Sequence, residues 1–255
     1  MTTILLLAHG SRDPRAAVAT AALVRAVSTA RPGVGVRAAY LEHALPRPAQ
    51  VLSALEATGE PGAVLVPLLM TAAYHGRVDL PATLAAARGD GLRLPVAVAD
   101  VLGPTSGRVP AELPAGLHRR LHQAGGGGFD SVVLAAAGTR MASARGSVEQ
   151  AAAALGNRLG VPVAVAYASA AGPTPGEAVA RLRAAGARRV AMAAYFLAPG
   201  RLYDAAATSA RAAGAIAVAE PLTDAPELVA LVLARADAVS ARPALAVDQG
   251  LVAVS

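Results

Sequence analysis

The chain contains no cysteine, no lysine and no tryptophan, and aromatic residues make up only 3% of its 255 positions. Each gap excludes something. Without thiols there are no disulfides, thiolate zinc sites, iron–sulfur clusters or cysteine nucleophiles, so a metal would have to be held by His, Asp or Glu. With so few aromatics, a chain that is 55% hydrophobic must build its core from Ala, Val and Leu on closely packed helices and strands, and that much hydrophobicity excludes disorder. No apolar run approaches the roughly 18–20 residues of a membrane span, and no basic region precedes the first apolar run. A soluble, cytoplasmic protein with no membrane or nucleic-acid partner is expected. All 23 basic residues are arginine and the formal net charge is +6. Arginine grips carboxylates and phosphates with a planar fork, which suits a small acidic partner.

What is present alternates. Residues Thr3 to Ala8 read as a buried strand, too short for an independent helix. Gly10 allows a tight exit, Ser11 or Asp13 can cap the next helix, and Pro14 is tolerated in its first turn. An amphipathic helix to Ala30 follows and ends at Pro32-Gly33. Further strands are expected over about 35–40, 63–69 and 95–99, with helices near 48–57, 80–88 and 112–123. This alternation marks a doubly wound α/β unit with a parallel sheet.

The pattern then repeats. Gly125–Gly128 reads as a flexible linker. Beyond it, Ala136–Arg140 lies over Ala8–Arg12 at an offset of 128, Val165–Tyr167 over Ala38–Tyr40 at 127, and the apolar strand 190–196 over 64–70. The expected architecture is therefore two tandem doubly wound parallel-sheet modules facing a central cleft. Their expected bounds are 1–124 and 131–242, joined by a linker at 125–130 and followed by a tail at 243–255.

The two copies differ in their reactive side chains. Opposite His9 stands Ala137, opposite Glu42 stands Ser169, and His75 falls on Ala198–Arg201, which holds no histidine. Side chains needed by the fold would be needed twice; these are not. His9 ends the first strand, Glu42 the second, and His75 follows the third, so a parallel sheet would bring them to one rim. Two histidines and a carboxylate make a three-ligand site with open positions, suited to iron, cobalt or zinc. His43 is a rival for Glu42, but in extended chain it would point the opposite way. His118 and His122 have helical chelating spacing, although Arg119 and Arg120 between them favour a solvated face. No GxGxxG or Walker pattern accompanies Gly10, so no nucleotide is expected. Ala8 stands where a histidine phosphatase would need arginine.

The segments Ala8–Pro14 (AHGSRDP) and Pro67–Pro81 (PLLMTAAYHGRVDLP) resemble the two signatures of the sirohydrochlorin chelatases, the CbiX/SirB type of class II metal chelatase. The second half is similar to the degenerate half of the long, two-module members. The resemblance implies insertion of Co²⁺ or Fe²⁺ into sirohydrochlorin, without ATP, towards sirohaem or cobalamin, by a lyase that holds the metal as substrate. On that reading His9 and His75 are catalytic metal ligands and Glu42 falls at the acidic ligand. Ser11, Arg12, Thr71, Arg77 and Arg201 become candidates to hold the polycarboxylate tetrapyrrole. The duplication suggests a monomer that is an internal pseudo-dimer. A metal or tetrapyrrole carrier, and a metal-dependent hydrolase using the same ligands, are the alternatives.

Overall fold

The computed structural model describes residues 2–71, 80–125 and 127–240. The expected tail, His75 and Arg77 lie outside the described residues. The elements run β1 (Thr3–Ala8), α1 (Pro14–Ala30), β2 (Val36–Tyr40), α2 (Pro48–Ala57), β3 (Ala63–Pro67), α3 (Leu80–Gly89), β4 (Val96–Val98) and α4 (Glu112–Gln123). The second series is β5 (Ser131–Ala136), α5 (Ala142–Leu159), β6 (Val163–Tyr167), α6 (Pro175–Ala184), β7 (Val190–Tyr195), α7 (Arg201–Ala212), β8 (Ala217–Val218) and α8 (Pro226–Ser240).

Two four-stranded sheets result, ordered β2-β1-β3-β4 and β6-β5-β7-β8, with every pairing parallel. The two α/β modules anticipated from the strand–helix alternation are therefore present. In each sheet the chain passes from one side of the first strand to the other, which opens a crevice between β1 and β3, and between β5 and β7, at their carboxyl ends.

The registers refine the repeat. Leu5 pairs with Leu65, and its equivalent Val133 pairs with Met192. The third strands therefore superpose at an offset of 127, not with 190 over 64. An overlay from residue order alone falls one residue off, because an unbroken apolar strand offers no landmark along its length.

Alternation along the strands sorts side chains into separate cores. Leu5, Leu7 and Leu65 face outward onto Leu52 and Leu55 of α2, and Val133, Ala135 and Met192 face outward onto α6 and α7. Ile4, Leu6, Val64 and Val66 join Val132, Leu134, Ala191 and Ala193 in one core shared by both halves. The helices that close this core are exchanged. In sequence α4 completes the first half, yet its Leu113–Leu117–Leu121 stripe packs on β7 and α5 of the second, while α8 covers β3, β4 and α1 of the first. At roughly 1.5–3 kcal/mol for each fully buried Leu, this exchange couples the folding of the two halves.

Ionic contacts follow the same seam. Arg119 pairs with Glu227 at 2.7 Å, and Arg120 donates to the Leu222 carbonyl at 2.9 Å. Arg31 pairs with Asp237, whose carboxyl it holds below the ordinary carboxylate range.

Candidate functional site

His9 is the first residue past β1 and lines the crevice between β1 and β3, in a cavity of about 170 Å³ walled by Gly10, Tyr40, Leu68, Leu197 and Ala198. Two of those walls, Leu197 and Ala198, come from the second module, so His9 faces across the interface. Gly10 is required here. It has a positive φ of 93°, and a Cβ on it would collide with the Glu42 carbonyl. The close approach lets the Glu42 amide donate to the His9 carbonyl at 2.8 Å, which ties the ends of β1 and β2 together.

That tie corrects the expectation for His43. The chain is not extended beyond Tyr40: it bends at once, and His43 takes a left-handed φ of 59°. The His43 Nε2 therefore stands 3.3 Å from Glu42 Oε2, and its ring is edge-on to that of His9 with centroids 6.4 Å apart. Glu42 and His43 are placed on the same side of the chain, and the structure gathers His9, Glu42 and His43 at one rim. Among the described residues no cluster of three or more His, Cys, Asp or Glu converges closely enough to hold a metal ion. His75, expected as the third ligand, lies outside the described residues.

Ser11 accepts from the Asp13 amide at 3.0 Å, and Asp13, not Ser11, caps α1 by accepting from the Arg15 amide, with Pro14 in the first turn. Arg15 bridges Asp13 and Asp204 of α7, at 2.6 Å to each, and its guanidinium lowers the Asp13 pKa. This bridge fastens the turn after β1 to the second module. Arg12 is exposed on that turn, and Arg201 is exposed as the first residue of α7. Thr71, half-buried beyond β3, lines a second cavity of about 380 Å³.

A roomier cavity of about 660 Å³ lies between loop 99–107 and the start of α5. Among the described residues Asp100 is the only ionisable group lining it. His118 and His122 are not simply solvated. Their Nε2 atoms lie 2.7 Å apart, and Arg158 of α5 donates to His118 Nδ1 at 3.3 Å. Burial, and then the neighbouring His122 and Arg158, lower the His118 pKa. Spacing alone did not reveal this because Arg158 is 40 residues away.

Fold and site together define a duplicated α/β protein whose first rim carries His9, Glu42 and His43 and whose second carries Ala137 and Ser169 in place of His9 and Glu42. The family model described as CbiX matches residues 3–111 and again 131–239; the chain belongs to the CbiX family. No curated protein matches the sequence. Among solved structures, SirB from Bacillus subtilis with Fe³⁺ is similar at a TM-score of 0.80 and 21% identity, over 94% of this chain and 96% of that one. The sirohydrochlorin chelatase SirB from Bacillus subtilis subspecies spizizenii in complex with cobalt gives a TM-score of 0.78 at 19% identity, over 95% and 97%. CbiX, the terminal enzyme for biosynthesis of siroheme in denitrifying bacteria, gives 0.61 at 20%, over 92% and 98%. These likenesses establish the fold. No helix among the described residues is long and apolar enough to cross a membrane.

Proposed function

We propose that this protein is a metal chelatase that inserts Co²⁺ or Fe²⁺ into sirohydrochlorin. The observation that carries the reading is the asymmetry of the duplicated rims: His9, Glu42 and His43 gather at the first crevice, while its counterpart carries Ala137 and Ser169. The similar SirB structures hold iron and cobalt, which agrees with that donor chemistry.

In this reading His9, Glu42 and His75 present the ion, and His43 steadies Glu42 through the contact they already make, as an outer partner orients a ligand. Few protein ligands leave positions for water, and pyrrole nitrogens displace first water and then protein. The balance is one divalent ion in and two pyrrole protons out, which neutral imidazoles can accept. No redox step or nucleotide enters this balance. Arg12, Arg77 and Arg201, with Ser11 and Thr71, hold the macrocycle's peripheral carboxylates, the arginines through bidentate contacts. The first module, 1–124, supplies the metal and the second, 131–242, the opposing wall, so a monomer suffices.

The test is spectroscopic. Sirohydrochlorin mixed with Co²⁺ or Fe²⁺ should change its absorption over many turnovers per chain, with coproporphyrin as control substrate. A change limited to one equivalent would identify a carrier and overturn the proposal.

A further inference from the structure

The two crevices are structural equivalents, and the second is not empty of chemistry. Ala137, Gly138 and Tyr167 line it where His9, Gly10 and Tyr40 line the first. Its opposing wall is Met70 and Thr71, where the first cavity has Leu197 and Ala198. Gly138 repeats the positive φ of Gly10, and a Cβ on it would collide with the Ser169 carbonyl. The histidine and glutamate are lost, but the cavity, about 380 Å³, is kept and is larger than the first. Leu68 and Leu197 border both cavities, so a flat molecule lying across the rim would reach from one into the other.

Tyr167 marks this cavity for a ligand. It is 4% exposed, and its hydroxyl has no hydrogen-bond partner among the described residues. Two other buried phenols are satisfied: Tyr195 donates to the Met70 carbonyl at 3.0 Å and Tyr203 to the Ala219 carbonyl at 3.2 Å. A buried hydroxyl without a partner opposes folding, which is tolerated where a bound molecule completes it. Burial also keeps the phenol protonated, with Glu149 acting in the same direction and Arg145 against it. The surrounding Leu69, Val148 and Phe196 suit the face of a ring.

Resting on the chelatase reading, we propose that this cavity seats one carboxylate-bearing pyrrole of the tetrapyrrole, with the Tyr167 hydroxyl donating to the carboxylate. Tyr167 is a positioning residue. It holds the macrocycle while the first rim delivers the ion.

The test is titration of metal-free sirohydrochlorin, followed by fluorescence, into the full chain and into Tyr167→Phe and Ala137→Phe, alongside thermal unfolding and steady-state insertion. Losing a hydrogen bond to a charged group should weaken tetrapyrrole binding about tenfold in Tyr167→Phe. The KM for sirohydrochlorin should rise in proportion, kcat and the KM for Co²⁺ should stay fixed, and Tm should hold or rise. Ala137→Phe fills the cavity and should weaken tetrapyrrole binding further. Unchanged sirohydrochlorin affinity in Tyr167→Phe, or a lowered Tm with kcat and both KM values moving together, would overturn the proposal. A wild-type chain that binds sirohydrochlorin without turnover defeats the chelatase reading alone, and the binding comparison still judges Tyr167.

Discussion

The first rim and the second share a backbone and divide their chemistry. Both turn after their second strand with a left-handed residue, His43 in one and Ala170 in the other. Both pass a glycine beneath the carbonyl of the residue two beyond that strand, Glu42 or Ser169. Where the Glu42 amide reaches the His9 carbonyl, the Ser169 hydroxyl reaches the Ala137 carbonyl at 2.8 Å. The loop geometry thus belongs to the fold, whereas the imidazoles and the carboxylate are additions the fold does not need. Replacing them should harm function and spare stability.

His9→Ala is the sharpest break of that contrast. Turnover of sirohydrochlorin with Co²⁺ should fall by about a hundredfold or more, with Tm close to wild type; near-normal turnover would remove His9 from the site. Gly10→Ala and Gly138→Ala test the shared part. Each forces a side chain into a left-handed position against a carbonyl, at a cost of at least about 2 kcal/mol. Chemical denaturation should show similar losses for the two, with only Gly10→Ala also weakening Co²⁺ binding, because only there is the displaced residue, Glu42, a proposed ligand. Equal effects on Co²⁺ would blur the division between rims.

The reverse experiment is to place metal donors on the second rim. Ala137→His with Ser169→Glu should add a second Co²⁺ site weaker than the first, visible by calorimetry, since no third ligand joins it. The smallest effect concerns the seam between the halves. The His118 pKa is lowered in the folded chain, so the folded state binds fewer protons than the unfolded one. Stability should be fully present above the ordinary histidine pKa near 6.5 and fall as pH drops towards the lowered value. His118→Gln should flatten that part of a Tm-against-pH curve, and an unchanged slope would show that the contact with His122 and Arg158 is energetically idle.

Much of this is legible in the sequence. The strand ends at Ala8 and Tyr40, the cap and proline opening α1, and the loss of His9 and Glu42 from the second copy all follow from local residue order. The position of His43 was not legible, because one left-handed residue reverses the side chain that an extended chain would show. Nor was the destination of α4: an amphipathic stripe says that a face is buried and not against which sheet. Tyr167 was visible only as a repeat of Tyr40. Its unpartnered hydroxyl appears once the neighbouring chain segments are in place.

Residue order alone settles most strand and helix spans, the duplication and the uneven donor set, because these depend on periodicity, on glycine and proline at turns, and on residue identity. That the two crevices share Leu68 and Leu197, that α4 and α8 change partners, and that Glu42 and His43 turn together beside His9 appears only in the folded chain. Those facts depend on contacts between residues distant in the chain, and the packing of complementary surfaces that selects them has no signature in local residue order.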